Sequence, residues 1–94
     1  MYMYQITDYT LKKAKQLGVK VFPSDNPKYK LEVYDKNGLF ITYCGANGYK
    51  DFPTYTEERG LEYALNRRRL YKIRHQKDRT KVGSRGWFSD QLLW

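Results

Sequence analysis

Polar and apolar positions alternate with two different periods along the chain, and the changes of period mark the elements. After Thr7 and Asp8, Leu11, Ala14 and Leu17 recur at helical spacing with Lys12, Lys13 and Lys15 largely off that stripe, and Gly18 follows. This predicts a first helix capped by Thr7 or Asp8 and stopped at Gly18. Val19 to Phe22 reads as a short strand closed by the turn-rich "PSDNP". "YKLEVYDKNGLFITYC" then alternates about a central Asn-Gly and predicts a hairpin.

The hairpin admits two registers. A two-residue Asn37-Gly38 turn sets Val33 opposite Thr42 and puts Asp35 on the face of Leu31. A longer Asp35–Gly38 turn, with Gly38 left-handed, pairs Asp35 with Leu39 and Val33 with Ile41. The longer turn gathers Leu31, Val33, Leu39, Ile41 and Tyr43 on one face, so it is the register expected. Glu32, Tyr34, Phe40 and Thr42 then share the other face.

"GANGYKDFPTY" holds two glycines and a proline and reads as a turn; without GxGxxG or GK[ST] it is no phosphate cradle. Thr54 with Glu57 predicts a capping box opening a long helix that tolerates Gly60 and runs to about Asp78. "GSRGWFSDQLLW" closes the chain with a short helix or turn carrying Trp87, Phe88, Leu92, Leu93 and Trp94. The pattern predicts an α+β fold: a small antiparallel sheet of hairpin plus short strand, packed by an N-terminal helix and a long basic helix, with an aromatic tail. At 94 residues it is expected to form a single small domain, 1–94.

Charge changes the picture. The chain carries a net +8, yet residues 66–82 hold eight cations against Asp78 alone, a net +7. The remaining ten cations and nine acids leave +1 for everything else. Such asymmetry calls for an acidic partner: nucleic acid, an anionic surface or an acidic protein. On the helix, Leu61, Ala64, Leu65, Tyr71 and His75 fall to one side with Arg68, and Tyr63, Leu70 and Ile73 to the opposite side. An ordinary surface helix has one apolar stripe. With two, one side is expected to cover the hairpin, leaving the other for the tail, a second chain or nucleic-acid bases. Arginine stems also pack along apolar surface, so part of the run is a solvated face, and Arg68 is a candidate partner for Glu57, Glu58 or Glu62. The excess of arginine over lysine favours pairing with carboxylate or phosphate. Arg67, Arg69, Arg74, Lys77, Arg79 and Lys81 are thus the candidate contacts to a partner or nucleic acid, and Leu70, Ile73, Trp87 and Trp94 the candidate apolar interface. An end in Leu-Leu-Trp is an apolar patch unless it docks, within the chain or on a neighbour.

Candidate chemistry is sparse. Cys44 is the single cysteine and lies in a strand pattern, which makes it a core residue of a protein kept in a reducing interior. With one histidine, His75, the chain falls short of a four-ligand metal site, and no P-loop, GxSxG, HExxH or paired-carboxylate signature is present. No enzyme activity, cofactor, metal or small-molecule substrate is expected. No apolar run approaches the roughly 18 residues of a membrane span, and the N-terminus lacks a signal-peptide pattern.

Three segments, "LGVKVFPS", "GYKDFPTY" through "NRRRLYKIRHQKD", and "GSRGWFSDQLLW", together resemble an uncharacterised family of small basic proteins from large double-stranded DNA viruses and related aquatic viruses. The tail, a Gly-aromatic-aromatic-small-Asp run before Leu-Leu-Trp, is the most specific of them. The resemblance implies a viral source and transfers no catalytic or cofactor residue. Joined to the two-sided helix, it leads to an expected minor capsid or cement role in the virion, entered from the host-cell interior, with other virion proteins as partners. A non-sequence-specific DNA-binding or condensing role is the alternative, in which viral DNA is the partner and Tyr71 stacks on a base.

Overall fold

A computed structural model describes residues 4–94. The fold is α+β, with three antiparallel strands in one sheet and four helices among the described residues. The chain divides into two compact units, residues 1–48 and 49–94.

The first unit opens with α1, Asp8–Leu17, whose N-cap Thr7 accepts a hydrogen bond from the Thr10 N–H and whose C-cap is Gly18, both as expected. It leads directly into β1, Lys20–Pro23, then β2, Tyr29–Tyr34, and β3, Phe40–Ala46, in the order β1-β2-β3. Asn47 closes the unit by donating from its side-chain amide to the Pro27 and Tyr29 carbonyls at 2.8 and 3.0 Å.

The hairpin corrects the register expected for it. The turn is the longer one: Gly38 sits at φ 84°, the Asp35 N–H donates to the Leu39 carbonyl at 2.9 Å, and Asp35 Oδ1 accepts from the Asn37 and Leu39 N–H groups. Tyr34 accordingly pairs with Phe40, but one step on Val33 pairs with Thr42 rather than Ile41. Ile41 is an extra residue in β3, a bulge that moves the ladder from one candidate register to the other. Beyond it the alternation inverts. Cys44 turns inward to join Leu31 and Val33, all fully buried, while Tyr43 turns outward. Leu39 and Ile41, placed by sequence on the core face, are exposed.

The second unit begins with α2, Phe52–Arg59, capped by the buried Asp51, whose Oδ1 accepts from the Thr54 N–H at 3.1 Å. The cap is therefore Asp51 and not the Thr54–Glu57 box. Gly60 then breaks what the periodicity joins. Its φ of 92° and ψ of 163° lie where only glycine rests easily, and its carbonyl accepts from the Ala64 N–H at 3.1 Å to start α3, Leu61–Arg74. Replacing Gly60 with Ala should destabilise this unit by about 1–3 kcal/mol, measured by chemical denaturation; an unchanged midpoint would show that the break is unstrained.

The long helix ends at Arg74 rather than near Asp78, and turns carry the chain to α4, Arg85–Leu93. Ser84 caps α4 by accepting from the Trp87 N–H at 3.2 Å. Phe88, Leu92 and Leu93 are buried. Gly86 approaches Asp78 so closely that a Cβ would stand 2.8 Å from the Asp78 carbonyl oxygen, which makes the small residue there a packing requirement.

Candidate functional site

The basic run divides into cations the fold uses and cations it leaves outside. Arg68 lies over the Phe52 ring at 4.4 Å, and its Nη1 donates to the Trp94 carbonyl at 3.4 Å; it does not pair with Glu57, Glu58 or Glu62. Arg67 lies over the Tyr55 ring at 5.4 Å. Lys72 Nζ donates to Asp90 Oδ1 at 2.8 Å, a link from α3 to the buried carboxylate of α4. Arg79 folds back, donating from Nε to the Lys72 carbonyl at 3.0 Å and from Nη2 to Gln76 Oε1 at 2.7 Å. Arg79 is thus occupied within the chain, whereas Arg67 is half-buried with its Nε lacking a hydrogen-bond partner.

Arg69, Arg74, Lys77 and Lys81 are exposed, as is Arg85. Arg69 reaches only as far as Asn66 Oδ1, at 3.1 Å. His75 is a partnered helix-end residue, with Nδ1 3.5 Å from Asp78 Oδ2 and its ring 4.5 Å from that of Tyr71.

The apolar candidates separate in the same way. Trp94 docks within the chain: its ring stacks on Tyr71 at 4.3 Å and 9°, and tilts against Tyr55 at 6.2 Å. Trp87 is half-buried against Phe88. Leu70 and Ile73 remain outside, with Ile73 63% exposed, and Leu61 and Leu65 are exposed on the same helix. At 100° per residue, Leu65, Arg69, Ile73 and Leu70 follow one another around the exposed side of α3, and Lys77 lies in the turn beyond its end. Ala64 and Tyr71, both buried, mark the opposite side. The tail thus covers the Tyr71 side and leaves the Leu70–Ile73 side bare.

A second surface was only partly read from the sequence, which placed Glu32, Tyr34 and Phe40 on one face without Phe22, Tyr29 or Tyr43. Phe22, Tyr34, Phe40 and Tyr43 meet edge to face in succession, at 5.6, 5.6 and 5.0 Å, and Tyr29 closes the row by stacking on Tyr43 at 5.5 Å. Glu32 stands in this row, accepting the Tyr34 hydroxyl at 2.7 Å through Oε1 and the Asp25 N–H at 2.7 Å through Oε2. Asp25 Oδ1 accepts the Tyr43 hydroxyl at 3.1 Å. These hydrogen bonds to carboxylates raise both phenols above the usual tyrosine range. The strand alternation signalled Glu32, Tyr34 and Phe40; Tyr43 joins them through a three-residue step from Phe40, which a strand shows on one face when it carries a bulge.

Among the described residues no group of His, Cys, Asp and Glu could hold a metal ion, and no helix is long and apolar enough to cross a membrane. Compared with protein-family models, curated proteins and solved structures, the chain matches none.

Proposed function

We propose that this is a non-catalytic virion component, a minor capsid or cement protein that bridges larger subunits, and that the exposed side of α3 is its contact. The observation that carries the reading is the bare Leu65–Ile73–Leu70 arc of α3 with Arg69 set between its apolar residues. Apolar anchors flanked by arginine are the composition of an interface core. Burying each exposed Leu or Ile there contributes about 1 kcal/mol once its partial exposure is counted. The cations select an acidic partner and reject a basic one.

The exposed Arg69, Arg74, Lys77, Lys81 and Arg85 favour a second reading, non-specific binding of viral DNA. Arg69, Arg74, Lys77 and Lys81 then supply about four phosphate contacts. Affinity for random duplex would then fall on the order of 10²-fold between about 50 and 200 mM salt.

One experiment separates the two. Leu70→Asp and Ile73→Asp should leave the chain folded yet remove it from purified, nuclease-treated particles, as read by mass spectrometry with copy number. DNA affinity at physiological salt should stay in the non-specific range of about 10⁻⁴–10⁻⁶ M. Submicromolar DNA binding, lost with Arg74→Gln and Lys77→Gln but kept with Leu70→Asp, would replace the structural reading with the nucleic-acid one.

A further inference from the structure

We infer that the outer face of the sheet is a second docking surface, and that its occupant is the exposed side of α3 from another copy of this chain. The inference rests on reading that side of α3 as an interface. An antiparallel sheet with one face in water ordinarily alternates polar residues onto that face. Here the face carries rings instead, with Phe22 50% and Phe40 49% exposed. Their mutual edge-to-face contacts hold them in place beforehand, so little side-chain freedom is lost when something settles on them.

The two carboxylates in the row define what settles. Glu32 and Asp25 are held by tyrosine hydroxyls and by a backbone N–H, and their negative charge stays beside exposed ring faces. A guanidinium or ammonium group satisfies both, donating charge-assisted hydrogen bonds to the acids and making cation–π contact with the rings. Phosphates would meet Glu32 and Asp25 with like charge, which argues against nucleic acid on this face.

The chain itself carries the complement. Arg69 and Arg74 lie exposed on α3 beside Leu70 and Ile73 in sequence, which supplies cations and apolar bulk on one helix. The same chemistry already recurs inside residues 49–94, where Arg59 lies over Tyr63 at 4.4 Å in addition to Arg67 over Tyr55 and Arg68 over Phe52. Because the two surfaces differ, the contact is head-to-tail, and it propagates as an open row or closes as a ring. For a bridging component this provides continuity between neighbouring copies.

The test uses the purified full chain in sedimentation velocity at physiological ionic strength, where the repulsion between copies of net charge +8 is screened beyond about 8 Å. One variant carries Phe22→Arg and Phe40→Arg, the other Arg69→Glu and Arg74→Glu; all four side chains are exposed, and circular dichroism checks that both variants fold. The wild-type chain should form oligomers that grow with concentration. Each variant alone should be monomeric, its self-association weakened by roughly 100-fold or more. An equimolar mixture should form a heterodimer that grows no further, since each variant keeps one intact surface. A monomeric wild-type chain, or a mixture that stays monomeric, overturns the inference, as does capture of an unrelated arginine-rich peptide by a chain that does not self-associate. Such an outcome, with Leu70→Asp still excluding the chain from particles, would leave the proposed function standing.

Discussion

Removing residues 92–94 should abolish cooperative melting of the second unit. Leu92 and Leu93 are buried, and losing a core leucine side chain costs about 2–5 kcal/mol each. The Trp94 ring adds its stack on Tyr71, about 0.5–1.5 kcal/mol, and its carbonyl is an acceptor for Arg68. Together these losses rival the roughly 5–15 kcal/mol that holds a whole domain folded. The truncated chain should lose its near-ultraviolet aromatic dichroism and fail to enter particles. Unchanged melting with normal incorporation would show that the tail is dispensable to the fold.

Lys72→Met should destabilise by about 2–3 kcal/mol in chemical denaturation. Asp90 is 3% exposed and its carboxylate is neutralised by the Lys72 ammonium at 2.8 Å. Breaking a buried pair by removing one partner costs about 3–5 kcal/mol, and the figure is reduced here because the lysine is about a third exposed. The informative comparison is Lys72→Met with Asp90→Leu. Taking away both charges should recover stability to within about 1 kcal/mol of the parent, since an apolar pair of similar size often substitutes for a buried ion pair. A double variant no better than Lys72→Met alone would assign the effect to lost packing of the lysine stem.

Elements governed by neighbours in sequence were readable before the structure. The Thr7 cap, the Gly18 stop, the left-handed Gly38 and the hairpin itself follow from local rules. What was misread depended on a competition the pattern alone does not resolve. Asp51 and Thr54 both suit a helix cap, and Asp51 prevails because its carboxylate reaches the Thr54 N–H. Gly60 reads as a tolerated weak point, but a strained backbone conformation makes it a break. The six cations chosen as contacts look alike in sequence; the Tyr55 ring beside Arg67, and the Lys72 carbonyl and Gln76 beside Arg79, set those two apart from the rest. The aromatic row was read only as far as Tyr34 and Phe40, because a single inserted residue inverted the strand's alternation before Tyr43.

That inserted residue also bears on how the chain avoids fibres. β3 is the last strand in the sheet order, and it opens on Phe40 and Ile41 directly after Leu39, an exposed apolar run. A straight edge of this composition is a template on which other unfolded or partly folded copies add strands. The bulge at Ile41 interrupts the regular spacing of backbone donors and acceptors and increases the local twist, so an incoming strand finds no continuous ladder to extend. A chain so rich in tyrosine and phenylalanine is thereby protected from joining its neighbours through backbone at its edges.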